Sequence, residues 1–212
     1  MVSARATSPP SSIVSRRIVF DRKRAAKLFR NLPELTTPRL LLRKFKRADA
    51  RDVFAYASDP EVTRYTPWEH HRDLKVTRQF VSTILKAYRQ GHSAPWAIVL
   101  RRTGKLIGAI GLKNWALPHA RAEVGYVLSR EHWGKGYVTE ALNAVLAFGF
   151  SEMELHRIEA KAVPENRGST RVMEKAGMRF EGLLRDYELV KGAHQSLNLY
   201  SILKPDFRAR RD

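Results

Sequence analysis

Gly134 and Gly136 stand one residue apart in the segment Trp133-Gly134-Lys135-Gly136-Tyr137-Val138-Thr139. Glycine lets the main chain adopt positive φ angles and approach a ligand closely, and the unpaired N–H groups of a helix start attract an anion. These residues therefore predict a phosphate-binding turn. Their spacing matches neither Gly-x-Gly-x-x-Gly nor the P-loop pattern that ends in Gly-Lys-Ser or Gly-Lys-Thr, which disfavours dinucleotide binding and nucleotide hydrolysis.

The elements on both sides of this turn have the order that a phosphate site needs. The preceding run, Arg121–Leu128, is rich in strand-forming residues. In the following segment Leu142, Val145, Leu146 and Gly149 have the spacing i, i+3, i+4 and i+7, which places them on one face of a helix. The sequence thus predicts a strand, a turn and a helix in succession.

A second motif begins about thirty residues later. The segment Pro164-Glu165-Asn166-Arg167-Gly168-Ser169 opens a helical pattern that Gly177 closes before the next strand. With both motifs in this order, the chain from about Thr37 to about Leu203 resembles the GNAT acetyltransferases, and within them the RimJ/RimL type that acetylates ribosomal-protein N-termini. The resemblance implies an α/β (α+β) GNAT fold: a mixed central sheet of six to seven strands, splayed between two parallel strands, with about four helices.

The remaining patterns predict elements that agree with such a fold. Helices are expected at Asp49–Ser58, at Phe80–Tyr88 ending near Gly91, and in the two motif segments. The expected strands are Leu40–Arg43, the hairpin Trp96–Leu100 and Leu106–Leu112, the central pair Arg121–Leu128 and Arg157–Val163, and the hairpin Phe180–Val190 and Ser196–Leu203.

The resemblance implies acetyl-CoA as co-substrate. In the family the central parallel strands part at their ends and receive the pantetheine arm, and main-chain N–H groups of the first strand stabilise the oxyanion. The expected contacts are Val127, Leu128, Trp133, Gly134, Lys135, Gly136, Tyr137, Val138, Thr139, Asn166 and Ser169. Two of these depart from the family pattern: Trp133 replaces a Gln or Arg, and the β-branched Val138 replaces a small residue and is expected to crowd the phosphate or shift the helix start.

Glu123 is the candidate general base, acting through a water molecule. It stands among apolar residues of its strand, where burial would raise the pKa of a carboxylate. The alternative is a carboxylate that accepts main-chain hydrogen bonds or binds the substrate ammonium without moving a proton. The amine must be neutral to attack, and an α-amine with a pKa of about 8 deprotonates more readily than a lysine at about 10. An N-terminal acceptor is therefore chemically natural.

Ser169 is the candidate hydrogen-bond donor to the departing thiolate, as the resemblance to RimL-like enzymes implies. The tyrosine that many GNAT enzymes carry seven residues after the asparagine is here Met173. The alternative role for Ser169 is to cap the following helix. Asn166, grouped with the catalytic residues, is expected to contact the pantetheine arm or the loop main chain, or else to serve only the turn.

Trp68, His70 and Tyr126 are the candidate substrate-binding residues. Trp68 and His70, with the adjacent His71, stand in the segment between the first two helices, which forms the acceptor wall in the family, and Tyr126 stands on the first central strand. Loop packing by Trp68 beside solvated histidines is the alternative. Adjacent histidines diverge on a regular element, and no His-Glu-x-x-His spacing occurs. No metal is expected.

The net charge of +18 over 212 residues points to acidic partners. We expect a basic N-terminal extension at 1–34, the acetyltransferase domain at 35–204 and a basic tail at 205–212. Within the extension, Ser15–Leu32 predicts a basic amphipathic helix for RNA, the ribosome or an acidic membrane. The alternatives are a solvated extension that packs weakly on the domain, and an organellar transit peptide.

Composition indicates a cytoplasmic enzyme, either a monomer or a homodimer. There is no cysteine for a disulfide, a thiolate metal site or a nucleophile, and no apolar run of membrane-span length. Three acceptor hypotheses remain open. The first is the N-terminus of a protein such as a ribosomal protein, with attraction to RNA through the basic N-terminal extension. The second is a small amine such as an antibiotic, polyamine or amino acid, and the third is an inactive acetyltransferase domain that binds RNA.

Overall fold

An eight-stranded sheet forms the centre of the computed structural model, which describes residues 21–208. The strands are β1 (Leu35–Thr36), β2 (Leu40–Arg43), β3 (Trp96–Leu100), β4 (Leu106–Ala116), β5 (Arg121–Leu128), β6 (Arg157–Ala162), β7 (Arg179–Val190) and β8 (Ala193–Leu203). Their order in the sheet is β1-β2-β3-β4-β5-β6-β8-β7. The central neighbours β5 and β6 are parallel, and every other neighbouring pair is antiparallel.

The mixed sheet and its parallel central pair confirm the predicted fold class. The additional strand is β1, which has only two residues, and two residues carry no alternation that a sequence pattern could reveal. The helices are α1 (Arg22–Arg30), α2 (Ala50–Ala57), α3 (Pro60–Thr63), α4 (Leu74–Gln90), α5 (Tyr137–Ser151), α6 (Arg167–Lys175) and α7 (Lys204–Arg208). The four expected helices correspond to α2, α4, α5 and α6.

The helix α4 shows how local signals set the element bounds. Asp73 accepts a hydrogen bond from the Val76 N–H at the start of the helix, and Gly91 ends it with a φ of 72°. A Cβ on Gly91 would lie 2.6 Å from the main-chain oxygen of Ala26. Glycine at this position therefore both terminates α4 and allows α1 to pack against it.

The helix α1 is joined to the domain by its apolar side. Asp21 caps it by accepting from the Arg24 N–H, and Phe29 and Leu32 are 3% and 5% exposed in the core. The Phe29 ring meets the Trp115 ring edge-on at 6.1 Å. Burying one such ring contributes about 1.5 to 3 kcal/mol. The part of the expected Ser15–Leu32 helix before residue 21 lies outside the described residues.

Residues 1–20 and the end of the expected 205–212 tail also lie outside the described part, so the domain bounds at 34 and 204 stay predictions. Within residues 21–208, no helix has both the length and the apolar character to cross a membrane.

Candidate active site

The strands β5 and β6 pair over a short distance and then part. Their parallel register begins at Arg121 with Arg157 and ends at Glu123. Beyond that point β5 remains paired to β4 as far as Leu128. Among the described residues, no strand pairs with the other side of β5 from Val124 onward, so its main-chain groups there can bond to an extended ligand.

The predicted phosphate turn connects β5 to α5 and has the conformation that its glycines permit. Gly134 and Gly136 have φ angles of 72° and 77°, a region that L side chains rarely adopt. A Cβ on Gly134 would have no heavy atom within 4 Å among the described residues. Gly136 is the N-cap of α5, so the amides of Tyr137, Val138 and Thr139 lie in the first turn without an acceptor inside the helix. The turn offers an open anion site at the positive end of α5.

The two unusual residues of the turn are placed outside its open space. Val138 is 8% exposed and belongs to the core, and α5 begins directly after Gly136. The effect of the branched Val138 side chain on a bound phosphate stays a prediction. The Trp133 Nε1 donates to the Leu128 carbonyl oxygen at 2.8 Å. This bond ties the turn to the end of β5.

A side-chain brace, which the sequence patterns did not reveal, holds the turn to β2. The Glu140 carboxylate accepts from the Arg39 Nε at 2.6 Å, from the Arg39 N–H at 2.9 Å and from the Thr37 hydroxyl at 2.6 Å. The Arg39 Nη1 donates to the Lys135 carbonyl oxygen at 3.0 Å, and the guanidinium lies 4.5 Å from the centre of the Tyr137 ring. Burial alone would raise the pKa of Glu140, but the bonds from Thr37 and Arg39 lower it below its ordinary value.

Asn166, Ser169 and Tyr126 meet on the other side of the gap. The Asn166 Oδ1 accepts from the Ser169 N–H at 3.1 Å and caps α6, so the alternative that Ser169 is itself the cap is wrong. The Ser169 hydroxyl lies 2.8 Å from the Tyr126 hydroxyl. Burial raises the pKa of Tyr126 to about 12, against a smaller lowering by the Ser169 bond. The position expected for a family tyrosine, Met173, is 1% exposed in the core.

Glu123 lies in a charged cluster, and the expectation of a raised pKa is wrong. Its carboxylate is 2.9 Å from the Lys113 Nζ, 3.1 Å from the Lys161 Nζ and 3.2 Å from the Asn114 Nδ2. Burial would raise the pKa of Glu123, but the two ammonium groups together bring it below its ordinary value. The sequence shows an apolar strand around Glu123, whereas the cations come from β4 and β6.

A cavity of about 350 Å³ lies beyond the end of β6 and under the β7–β8 hairpin. Glu188, on its wall, is 3.8 Å from the Lys161 Nζ, which places the cavity next to the Glu123 cluster. The Lys191 Nζ donates to the Thr63 carbonyl oxygen at 2.7 Å and joins the hairpin to α3. The cavity wall comprises Arg64, Tyr65, Pro67, Val163, Glu165, Glu188, Val190, Lys191, Ala193 and Gln195.

Trp68, His70 and Tyr126 are not part of this wall. The buried His71 has its Nδ1 2.9 Å from the Thr77 hydroxyl, and its ring packs at 5.5 Å from Trp68. Burial lowers the pKa of His71. His70 is exposed. No sequence signal marked the cavity residues, because they come from three separate segments with no common spacing.

No three His, Asp or Glu side chains within the described range 21–208 are grouped as metal ligands would be. The absence of a metal site stays a prediction.

Comparison with known proteins agrees with this geometry. Residues 39–179 match the family model of the acetyltransferase (GNAT) domain. An uncharacterized N-acetyltransferase, p20, of Bacillus licheniformis is 38% identical over 82% of this chain and 97% of its own length. A crystal structure of a GNAT-family acetyltransferase from Bacillus anthracis is 35% identical, with a TM-score of 0.73, over 82% of this chain and 99% of that one.

A more distant relative has a named acceptor. The [ribosomal protein uS5]-alanine N-acetyltransferase of Escherichia coli (strain K12) is 27% identical over 84% of this chain and 95% of its own length. The parting of β5 and β6, the glycine turn before α5 and the family match lead to one conclusion: the chain belongs to the GNAT acetyltransferase family and is an N-acetyltransferase.

Proposed function

We propose that this chain acetylates the N-terminal α-amine of a protein, with a ribosomal protein as the acceptor. The observation that carries the proposal is the position of Glu123 between Lys113 and Lys161, because a carboxylate with a lowered pKa is a weak base. Such a site needs an acceptor that deprotonates easily. An α-amine, with a pKa of about 8, fits this requirement better than a lysine at about 10. The uS5-alanine acetyltransferase relative supports the ribosomal acceptor.

GNAT acetyltransferases use acetyl-CoA, which supplies an activated thioester. We assign its pyrophosphate to the amides between Gly134 and Thr139, where the main chain is open and α5 contributes its positive end. We assign its pantetheine arm to the unpaired edge of β5, which includes Val127 and Leu128, and to Asn166 and Ser169 on α6. We expect Trp133 and the side chains of Lys135 to Val138 to support the turn whose amides form this phosphate site.

The reaction is a direct transfer in a ternary complex. The amine nitrogen attacks the thioester carbonyl carbon, and N–H groups of β5 beyond Glu123 stabilise the oxyanion by about 3 to 4 kcal/mol for a well-placed donor. The carbon–sulfur bond then breaks, the nitrogen loses a proton, and the sulfur takes one up. We assign the hydrogen bond to the departing sulfur to Ser169 and Tyr126, whose hydroxyls lie 2.8 Å apart.

Glu123 has two candidate roles at this site. As a general base it would take the proton of the amine, as the sequence suggests. As a charged partner of the two lysines it would fix the cluster beside the cavity without moving a proton. Its lowered pKa favours the second role.

A second candidate acceptor is a small amine that also carries an acidic group. The 350 Å³ cavity is in the size range of small-molecule sites. Its wall carries both carboxylates, Glu165 and Glu188, and cations, Arg64 and Lys191. Such a wall suits a zwitterion.

Mass spectrometry after incubation with acetyl-CoA tests the assignment. The acceptor panel contains peptides with a free N-terminal Ala or Ser, N-blocked lysine peptides, and small amines. An acetyl group on the α-amine supports the proposal, whereas label on a small amine alone assigns the enzyme to the second candidate. No transfer to any acceptor would contradict both and favour a domain that binds RNA without activity. We also propose a cytoplasmic location, because the proposed acceptor is a ribosomal protein.

A further inference from the structure

Cations concentrate where the last turns of α1 and α4 meet. Lys27 and Arg30 lie in the last turn of α1, Lys86 and Arg89 near the end of α4, and Lys44 between them after β2. We call these five residues the basic junction. The first four are exposed, and Lys44 is partly exposed.

Three contacts fix this arrangement. Gly91, directly after α4, packs against Ala26 of α1. The Lys44 Nζ donates to the Arg30 carbonyl oxygen and lies 5.2 Å from the centre of the Tyr88 ring. Lys44 thus contacts the last residue of α1 and the last turn of α4, so the cation-bearing ends of the two helices lie close to each other.

Few carboxylates stand near the basic junction in the chain; the nearest is the exposed Glu34, four residues after Arg30. Neither α1 nor α4 contains an Asp or Glu; their caps, Asp21 and Asp73, stand at the opposite ends. None of the five cations forms a salt bridge with another residue of the described range 21–208. Cations near a helix C-terminus are stabilised by the helix dipole, but the negative end of each dipole amounts to only about half a charge. Two such ends do not neutralise five full charges.

The same surface lacks what a membrane site needs. An amphipathic helix binds a bilayer by inserting apolar side chains, and α1 buries its own, Phe29, in the core. Among the described residues, the exposed large hydrophobic side chains are Val76, in the first turn of α4, and others on β7 and at Trp133; none belongs to the basic junction. A surface with only cations fits a polyanion whose charges are regularly spaced.

We propose that the basic junction binds the phosphate backbone of RNA and so holds the enzyme beside an acceptor protein on an RNA-containing particle. The choice of RNA as the polyanion rests on the proposed ribosomal acceptor. The sequence predicts this attraction for a basic helix in the N-terminal extension, of which α1 is the described part, and the packing adds α4 and Lys44. Such a surface contacts phosphates without reading the base sequence.

The test uses the full chain and a labelled 20-nucleotide RNA in fluorescence anisotropy. The variant Lys27→Gln/Arg30→Gln/Lys86→Gln/Arg89→Gln removes four charges with a residue that keeps helix propensity. The control, Lys75→Gln/Arg78→Gln/Arg102→Gln/Arg185→Gln, removes four exposed charges elsewhere. Each phosphate contact contributes about 0.7 to the slope of the logarithm of the binding constant against the logarithm of the salt concentration. For the junction variant this slope should fall by about 3, and the affinity at 50 mM salt should fall by about 100-fold or more. The control should lose less than about 5-fold.

Equal losses in the two variants, or no loss in the junction variant, would overturn the proposal. Should the junction variant not fold by circular dichroism, Lys86→Gln/Arg89→Gln is compared with Lys75→Gln/Arg78→Gln, with an expected difference of about 10-fold. Tighter binding to anionic lipid vesicles than to RNA would also overturn it, in favour of a membrane.

A separate assay distinguishes this proposal from the proposed function. Acetylation of a short N-terminal peptide needs no RNA, so the junction variant should keep its kcat/KM within about 2-fold. Peptide acetylation without junction-dependent RNA binding overturns only the docking surface. Junction-dependent RNA binding without acetylation of any N-terminal peptide overturns only the acceptor assignment.

Discussion

The hydroxyls of Tyr126 and Ser169 lie 2.8 Å apart, beyond the point where β5 parts from β6. One belongs to a strand and the other to α6, so the bond forms only when both elements are in place. Tyr126 also donates to the Ser169 carbonyl oxygen at 3.1 Å. The pair is thus a rigid polar contact at the point assigned to the departing sulfur.

Ser169→Ala should lower kcat about 10- to 100-fold and change the KM for acetyl-CoA little, because a bond made to the developing thiolate acts in the transition state. Tyr126→Phe should act in the same direction, and the double variant should lose less than the product of the single losses. Steady-state kinetics with thermal unfolding as a control measure this. A drop in unfolding temperature with unchanged kcat would leave the pair a structural role only.

Glu123→Gln tests the base assignment. With an α-amine acceptor, kcat/KM should rise with pH to about pH 8, where the free amine becomes neutral. If Glu123 is a charged partner, the variant lowers kcat/KM but leaves this rise at the same pH. A second rise of kcat/KM below about pH 4.3 that the variant loses would instead identify Glu123 as the base.

The charge of Glu123 should also appear in stability. Its folded-state pKa lies below the ordinary value of about 4.3, so the ionised form stabilises the fold above that value. The contribution is lost as the pH falls through the lowered folded-state pKa. Urea unfolding between pH 7 and pH 3 should show a larger loss for the wild type than for Glu123→Gln, and parallel curves would contradict the contacts with Lys113 and Lys161.

The brace between Arg39 and Glu140 should set the affinity for acetyl-CoA. Arg39→Ala frees the Lys135 carbonyl and loosens the turn, so we expect the KM for acetyl-CoA to rise about 5- to 20-fold with a smaller change in kcat. Arg102→Ala, at another exposed arginine, is the control. Isothermal titration with CoA checks the affinity directly. Equal affinities for Arg39→Ala and wild type would show that the turn holds its shape without the brace.

Gly134→Ala has a matched control elsewhere in the chain. Gly134 and Gly104 have φ angles of 72° and 71°, and a Cβ on either would find no heavy atom of the described residues within 4 Å. Alanine should therefore cost each about 1 to 2 kcal/mol of backbone strain. Only Gly134→Ala should also weaken CoA binding, by about 10-fold or more. Similar CoA affinities in the two variants would move the phosphate site away from Gly134.

The sequence by itself determined the parts of this protein that local chemistry specifies. Glycine ends α4 and precedes α5, apolar residues recur at helical spacing on their buried faces, and Asn166 caps α6. Each of these signals acts within a few residues. These signals were sufficient for the glycine turn and the helices beside it, whereas the mixed sheet and its parallel central strands were expected from the family resemblance. The family resemblance rests on the same short segments, which is why it could be recognised without coordinates.

Tertiary structure alone decided the electrostatics of the site. Arg39 and Glu140 are 101 residues apart, and the cations at Glu123 come from two strands on either side of β5. A carboxylate responds to charges within a few ångströms, and sequence distance does not report which charges those are. The same reason explains the basic junction: the sequence showed a charged helix, but only packing placed its cations beside those of α4.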